Sequence, residues 1–266
     1  MADLTTIRLE LDGPVGLLTL ARPEKLNAMS RRMVAELTSV LEELAADTAV
    51  RCVVLAGEGR MFSAGADLDE FRDDFGAAGV DPAATEREAR DGARLTAALE
   101  SPDIVTIAAV HGAAIGGAAA VVAACDLRLF ADDARLVVPE LAMGLPLAWG
   151  GIERLVRDLG PAVTRDLLLT ARPLTADEAV ARGFAMERVA PGGLLDRARR
   201  IAALCATRPR RGTTIALGRI RAVADRSRAE GVDDDAASLA VAAGDPEALA
   251  AARAYLASLD STSRRT

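Results

Sequence analysis

Histidine, lysine and aromatic side chains are scarce in this chain. His111 and Lys25 are the sole members of their types, and aromatics make up only 3% of the 266 residues. Three cysteines, Cys52, Cys125 and Cys205, stand far apart with no CxxC pair. With one histidine to accompany them, they form neither a disulfide framework nor a zinc site of ordinary ligand spacing, so no metal is expected. A reducing, cytoplasmic location is the simplest expectation. Excess positive charge is also missing: the formal net charge is −7 and the pI about 5.0. Such a field repels nucleic acid and anionic membrane surfaces, so neither is expected as a partner. The start, MADLTTIRLELDG, carries acidic residues and no apolar h-region, and it does not read as a secretory signal.

One long apolar run is present, IVTIAAVHGAAIGGAAAVVAACD, from Ile104 to Asp126. Roughly 20 apolar residues suffice to cross a bilayer. This run is made of Ala and Gly rather than Leu or Phe, contains His111, and is flanked by Asp103 and Asp126 instead of basic anchors. It reads as buried core rather than a membrane span.

Around it, strand and helix signals alternate. IRLELDGPVGLLTL is a hairpin about Asp12-Gly13-Pro14, and Met29, Met33, Leu37, Val40, Leu41 and Leu44 recur at helical spacing with Ser30 available as a cap. VRCVVLAGEG is a buried strand, and DDFGAAGVDPAATEREARDGARLTAALES is a loop running into a charged helix that ends before Pro102. DIVTIAAVHG is a strand, AIGGAAAVVAAC a short helix and DLRLFAD a strand. This recurrence is α/β grammar. Beyond Leu174 the chain turns helical apart from a short extended piece, with a frayed end expected over DSTSRRT. The expected organisation is a core over 1–195 and a helical region over 196–266.

Two glycine-rich turns follow apolar strands: FSAGAD after RCVVLAG, and HGAAIGGA after DIVTIAAV. Backbone N–H groups at a strand-to-helix turn lack internal partners and can point at an anion or a polarised carbonyl. Two such turns facing each other would form an oxyanion hole. Taken singly, each reads more simply as glycines that only permit tight turns and close packing.

Together with RPEKLNAMS and PELAMGLPLAWGGIERLVRDLG, these turns resemble the crotonase superfamily, the enoyl-CoA hydratase/isomerase family, from about Ile7 to Pro191 and more loosely through the tail. The resemblance implies a spiral of ββα units with a C-terminal helical region used for trimerisation, giving a homotrimer or a dimer of trimers. It implies an acyl-CoA thioester as substrate, with CoA present only as part of that substrate and no separate cofactor. The N–H groups of Ala66 and Gly117 would hold the thioester oxygen. Lys25, Leu26, Ala28, Ala64, Asp67 and Leu68 would line the nucleotide end, with Lys25 either meeting a phosphate or remaining an ordinary solvated lysine.

Hydratases of the family use two glutamates. Here the first position, three residues after Gly117, is Ala120, and the second, in the PE pair, is Glu140. Water addition shares work between an acid and a base, whereas moving a 3,4 double bond to the 2,3 position needs one carboxylate. The expected activity is therefore single-glutamate enoyl-CoA isomerisation. The alternatives are a hydratase with a substitute acid and, in another class, an acyl-CoA-binding protein with little or no turnover. Asp69, Glu70, Asp73 and Asp74 are the nearby acids, read as a solvated face. Trp149 shapes the acyl pocket or fills core, and His111 is read as structural.

Overall fold

A computed structural model describes residues 4–75, 81–101, 103–224 and 232–263; the side chains of 73–75, 232–235, 255 and 258–263 lie outside that description. The chain opens with the expected hairpin, β1 (Ile7–Asp12) and β2 (Val15–Leu20), then α1 (Arg31–Ala46). Ser30 caps α1 by accepting the Met33 N–H at 3.2 Å, satisfying one of the helix's orphan donors. β3 (Cys52–Gly57), α2 (Leu68–Phe75) and α3 (Pro82–Leu99) follow. The loop expected before α3 falls partly on residues 76–80, and the expected stop at Pro102 on residue 102, both outside the described residues.

The Ile104–Asp126 run divides into β4 (Val105–Val110), β5 (Ala113–Ile115) and α4 (Gly117–Ala124). β4 is buried throughout and α4 is buried from Ala118 to Ala124, as a helix apolar on all sides must be. Among the described residues no helix is long and apolar enough to cross a membrane. The chain continues with β6 (Leu127–Ala131), β7 (Arg135–Val137), α5 (Gly151–Thr170), β8 (Leu174–Thr175), α6 (Ala176–Ala181) and β9 (Glu187–Val189). It ends with α7 (Leu194–Ala206), α8 (Arg210–Ala224), α9 (Val232–Ala243) and α10 (Pro246–Ser263).

The main sheet has the order β1-β2-β3-β4-β6-β9, parallel except for the β1–β2 hairpin. A second sheet, β5-β7-β8, was not anticipated. Its strands are two or three residues long, too short to carry a readable period. Its presence corrects the reading of Ala114 and Ile115 as the start of a helix. The spiral is visible in it: β4 and β6 each lie in the main sheet, then hand the chain to β5 and β7 before a helix returns it. Ser63, after β3, makes a bridge to Ala114 that repeats the step.

α7 packs on the main sheet against β2, β3, β4 and β6. α9 runs along α3, and α10 covers α2 and the 3-10 turn Glu140–Met143. Of the frayed end expected over DSTSRRT, residues 260–263 are the helical end of α10, and 264–266 lie outside the described residues.

Candidate active site

The two glycine-rich turns touch. Gly65 has φ +85°, and a Cβ there would sit 2.5 Å from the Ile115 carbonyl oxygen, so only glycine lets the first turn press against the strand that feeds the second. The Met29 N–H donates to the Gly65 oxygen at 2.7 Å and the Ala64 N–H to the Leu26 oxygen at 2.9 Å, which lays the 26–29 loop beside the turn. Asn27 fixes that loop from within: fully buried at φ 54°, it donates to the Glu58 and Met61 oxygens at 2.7 and 3.0 Å. Neither the Ala66 N–H nor the Gly117 N–H, the latter in the first turn of α4, has a protein acceptor among the described residues.

Both line one cavity of about 190 Å³, and Glu140 lines it with them. Glu140 opens the 3-10 turn that follows Pro139. A Cβ on Gly116, whose φ is +57°, would collide with Glu140 Oε1, so the carboxylate lies directly against the backbone of the second turn. Glu140 Oε2 is buried with no hydrogen-bond partner among the described residues. Burial outweighs the hydrogen bond from its own backbone and pushes its pKa up to about 7.

Ala120 is fully buried and does not line the cavity. It packs against Gly151, where a Cβ would meet the Ala120 Cβ at 3.0 Å and Leu147 Cδ2 at 2.6 Å. Trp149, half-buried, does line the cavity.

The six residues expected at the nucleotide end gather on the two adjoining loops, and of them only Asp67 reaches the cavity. Asp67 is buried and paired with Arg22 at 2.8 Å. Lys25 lies on the exposed rim, its Nζ 2.7 Å from Asp69 Oδ2, and the hydrogen bond and charge of Asp69 raise its pKa. That pair keeps Asp69 at the surface as expected. Glu70 corrects the solvated reading: it lines the cavity and accepts the Arg31 N–H at 2.9 Å. The side chains of Asp73 and Asp74 lie outside the described residues. His111 Nε2 donates to the Gly59 oxygen at 3.0 Å and is not among the cavity residues.

Sequence reasoning missed Arg31, Glu88 and Asp91, which face the cavity from α1 and α3, and Leu239, which closes it from α9. Arg31 Nε donates to Glu88 Oε1 at 2.6 Å. One signal was available: Gly92, inside α3, sits where a Cβ would overlap the Trp149 indole. A glycine in a helix interior marks a close approach.

A carboxylate of raised proton affinity facing two unsatisfied backbone donors is equipped to move a proton on a carbon acid while the donors hold the oxyanion. The family model for enoyl-CoA hydratase/isomerase matches residues 10–242. A short-chain-enoyl-CoA hydratase of Clostridium acetobutylicum is 32% identical over 201 residues, 75% of each protein. An enoyl-CoA hydratase crystal structure from Bacillus anthracis superposes with a TM-score of 0.75 at 28% identity, covering 81% of this chain and 82% of its own. A monofunctional enoyl-CoA isomerase from M. smegmatis superposes with a TM-score of 0.70 at 28% identity, covering 85% of this chain and 97% of its own. By the extent of the family match and the two turns that carry it, the chain belongs to the enoyl-CoA hydratase/isomerase family, the crotonase superfamily.

Proposed function

We propose that the protein isomerises 3-enoyl-CoA thioesters to 2-enoyl-CoA with Glu140 as the single proton carrier. The observation that carries this reading is the pairing of a Glu140 whose Oε2 is buried without a hydrogen-bond partner with a sealed Ala120. The thioester oxygen accepts from the Ala66 and Gly117 N–H groups. Glu140 takes a proton from C2, the charge spreads over the dienolate onto that oxygen, and the same proton returns at C4. Nothing is added or lost, and no second acid is required. Loss of one such backbone donor in other enzymes costs about 10²–10³ in rate. CoA is held as part of the substrate along the Lys25, Leu26, Ala28, Ala64, Asp67 and Leu68 rim, with Lys25 exchanging Asp69 for a phosphate.

A second reading, hydration of 2-enoyl-CoA, is favoured by one observation: Glu70, Glu88 and Asp91 line the same cavity and could supply an acid. Glu140→Gln supplies a direct test. Isomerisation of a 3-enoyl-CoA should fall by about 10²–10⁴, while affinity for butyryl-CoA, measured by calorimetry, stays within a few-fold. Retained isomerisation in that variant rules out Glu140 as the carrier.

A further inference from the structure

We infer that Trp149 determines which reaction this site performs, by sealing the α4 face on which a second carboxylate and its water would otherwise stand; the inference rests on the isomerase reading and deepens it. The indole is wedged between two helices. A Cβ on Gly92 of α3 would overlap its Cε2 and Nε1, and a Cβ on Gly117 of α4 would lie 2.8 Å from its Cζ3. The ring therefore spans the cavity wall from α3 to the oxyanion donor itself. Gly117 and Ala120 are three residues apart, on one helix face. Trp149 covers the first, and Leu147 and Gly151 cover the second, leaving Ala120 with no exposure at all.

The wall is preset from behind. Trp149 has φ 63°, and its carbonyl oxygen accepts from Thr96 Oγ1 at 2.9 Å and from an Arg154 guanidinium nitrogen at 2.8 Å. Thr96 and Arg154 are themselves buried, and Arg154 is clamped by Glu100 at 2.7 and 3.0 Å. An indole held this way presents a flat apolar surface to the acyl group between the oxyanion donor and α3, while Glu70, Glu88 and Asp91 line other parts of the cavity. A dienolate beside such a surface is shielded from water on that side, and Glu140 returns its proton. The alanine at 120 and the tryptophan at 149 are on this account one device, and restoring a carboxylate at 120 without removing the indole should give no hydratase.

Trp149 is the only tryptophan in the chain, so its fluorescence reports this wall and nothing else. Titration of the wild-type protein with butyryl-CoA, a saturated ester, should shift the emission and cut acrylamide quenching at least twofold, whereas CoA without an acyl group should do neither. Butyryl-CoA binding seen by calorimetry with unchanged emission and quenching would overturn the wall while leaving the isomerase reading intact. Absence of any butyryl-CoA binding would overturn both. The reaction-determining role is read from 2-enoyl-CoA hydration in Ala120→Glu, Trp149→Ala and the double variant. The double variant should hydrate at least tenfold faster than Ala120→Glu alone. Equal rates for those two variants contradict the seal, because the room for the carboxylate was then present all along. If the double variant fails to fold, the wild-type titration still decides whether the indole meets the acyl group.

Discussion

Glu140 has its proton affinity moved into the working range by burial, without a cation beside it to reverse the effect. Two consequences follow with opposite signs. As a base it works deprotonated, so kcat/KM for isomerisation should fall about tenfold per pH unit below about pH 7 and level off above it; a profile flat from pH 5 to 8 contradicts the assignment. Stability runs the other way. Between about 4.5 and 7 the folded protein keeps a proton that the unfolded chain has released, so this group's contribution falls as pH rises through that window and stays lost above it. Glu140→Gln should therefore be more stable than the parent at pH 8, by about 1–3 kcal/mol, and nearly equal at pH 4.5, as measured by denaturant melts.

At the scale of elements, the segment between the 3-10 turn and α5 owes its shape to buried ions. Arg154 is 1% exposed and binds the Trp149 and Gly150 carbonyl oxygens as well as Glu100, which Arg157 also holds at 2.8 Å. Arg154→Met should destabilise the protein by about 3 kcal/mol, since it strips a partner from a buried carboxylate, and should move Trp149 emission toward the red. Stability unchanged within 0.5 kcal/mol, an approximate bound for substitutions away from such features, contradicts this anchoring role. What was legible beforehand follows from the range of each interaction. The hairpin, the Ser30 cap and the buried β3 and β4 are written in local pattern, and the two turns with Glu140 in local motif. The β5-β7-β8 sheet is too short to show a period. Glu88, Asp91 and Leu239 reach the cavity only because α3 and α9 pack over it, and nothing local to a solvated-looking helix records what lies across from it.

At the scale of the whole molecule, one helix keeps most of its apolar face outside the core, although Leu217 packs on the core and Arg221 pairs with Asp126. α8 buries none of its residues and exposes Ile215, Ile220 and Val223 at 54, 63 and 65%, whereas most helical stability in proteins comes from a packed apolar face. Leu204 at the end of α7 is 54% exposed. By contrast α9 and α10 are committed to the chain's own cavity, where Leu239, Leu249 and Leu256 pack around Phe71 and Leu145. We propose that α8 is the trimer-forming surface. Light scattering should give three or six times the 27.6 kDa chain mass, and Ile220→Glu should reduce it; a monomer at micromolar concentration contradicts the proposal.

The most direct test of the central claim is product analysis by proton NMR and mass spectrometry with a 3-enoyl-CoA and, separately, a 2-enoyl-CoA. One carboxylate with two backbone donors should convert the 3-enoyl ester to the 2-enoyl ester and leave the 2-enoyl ester without added water. Rapid appearance of the 3-hydroxyacyl ester from the 2-enoyl substrate would contradict the account, because a second acid would then be working in a site where Ala120 supplies none.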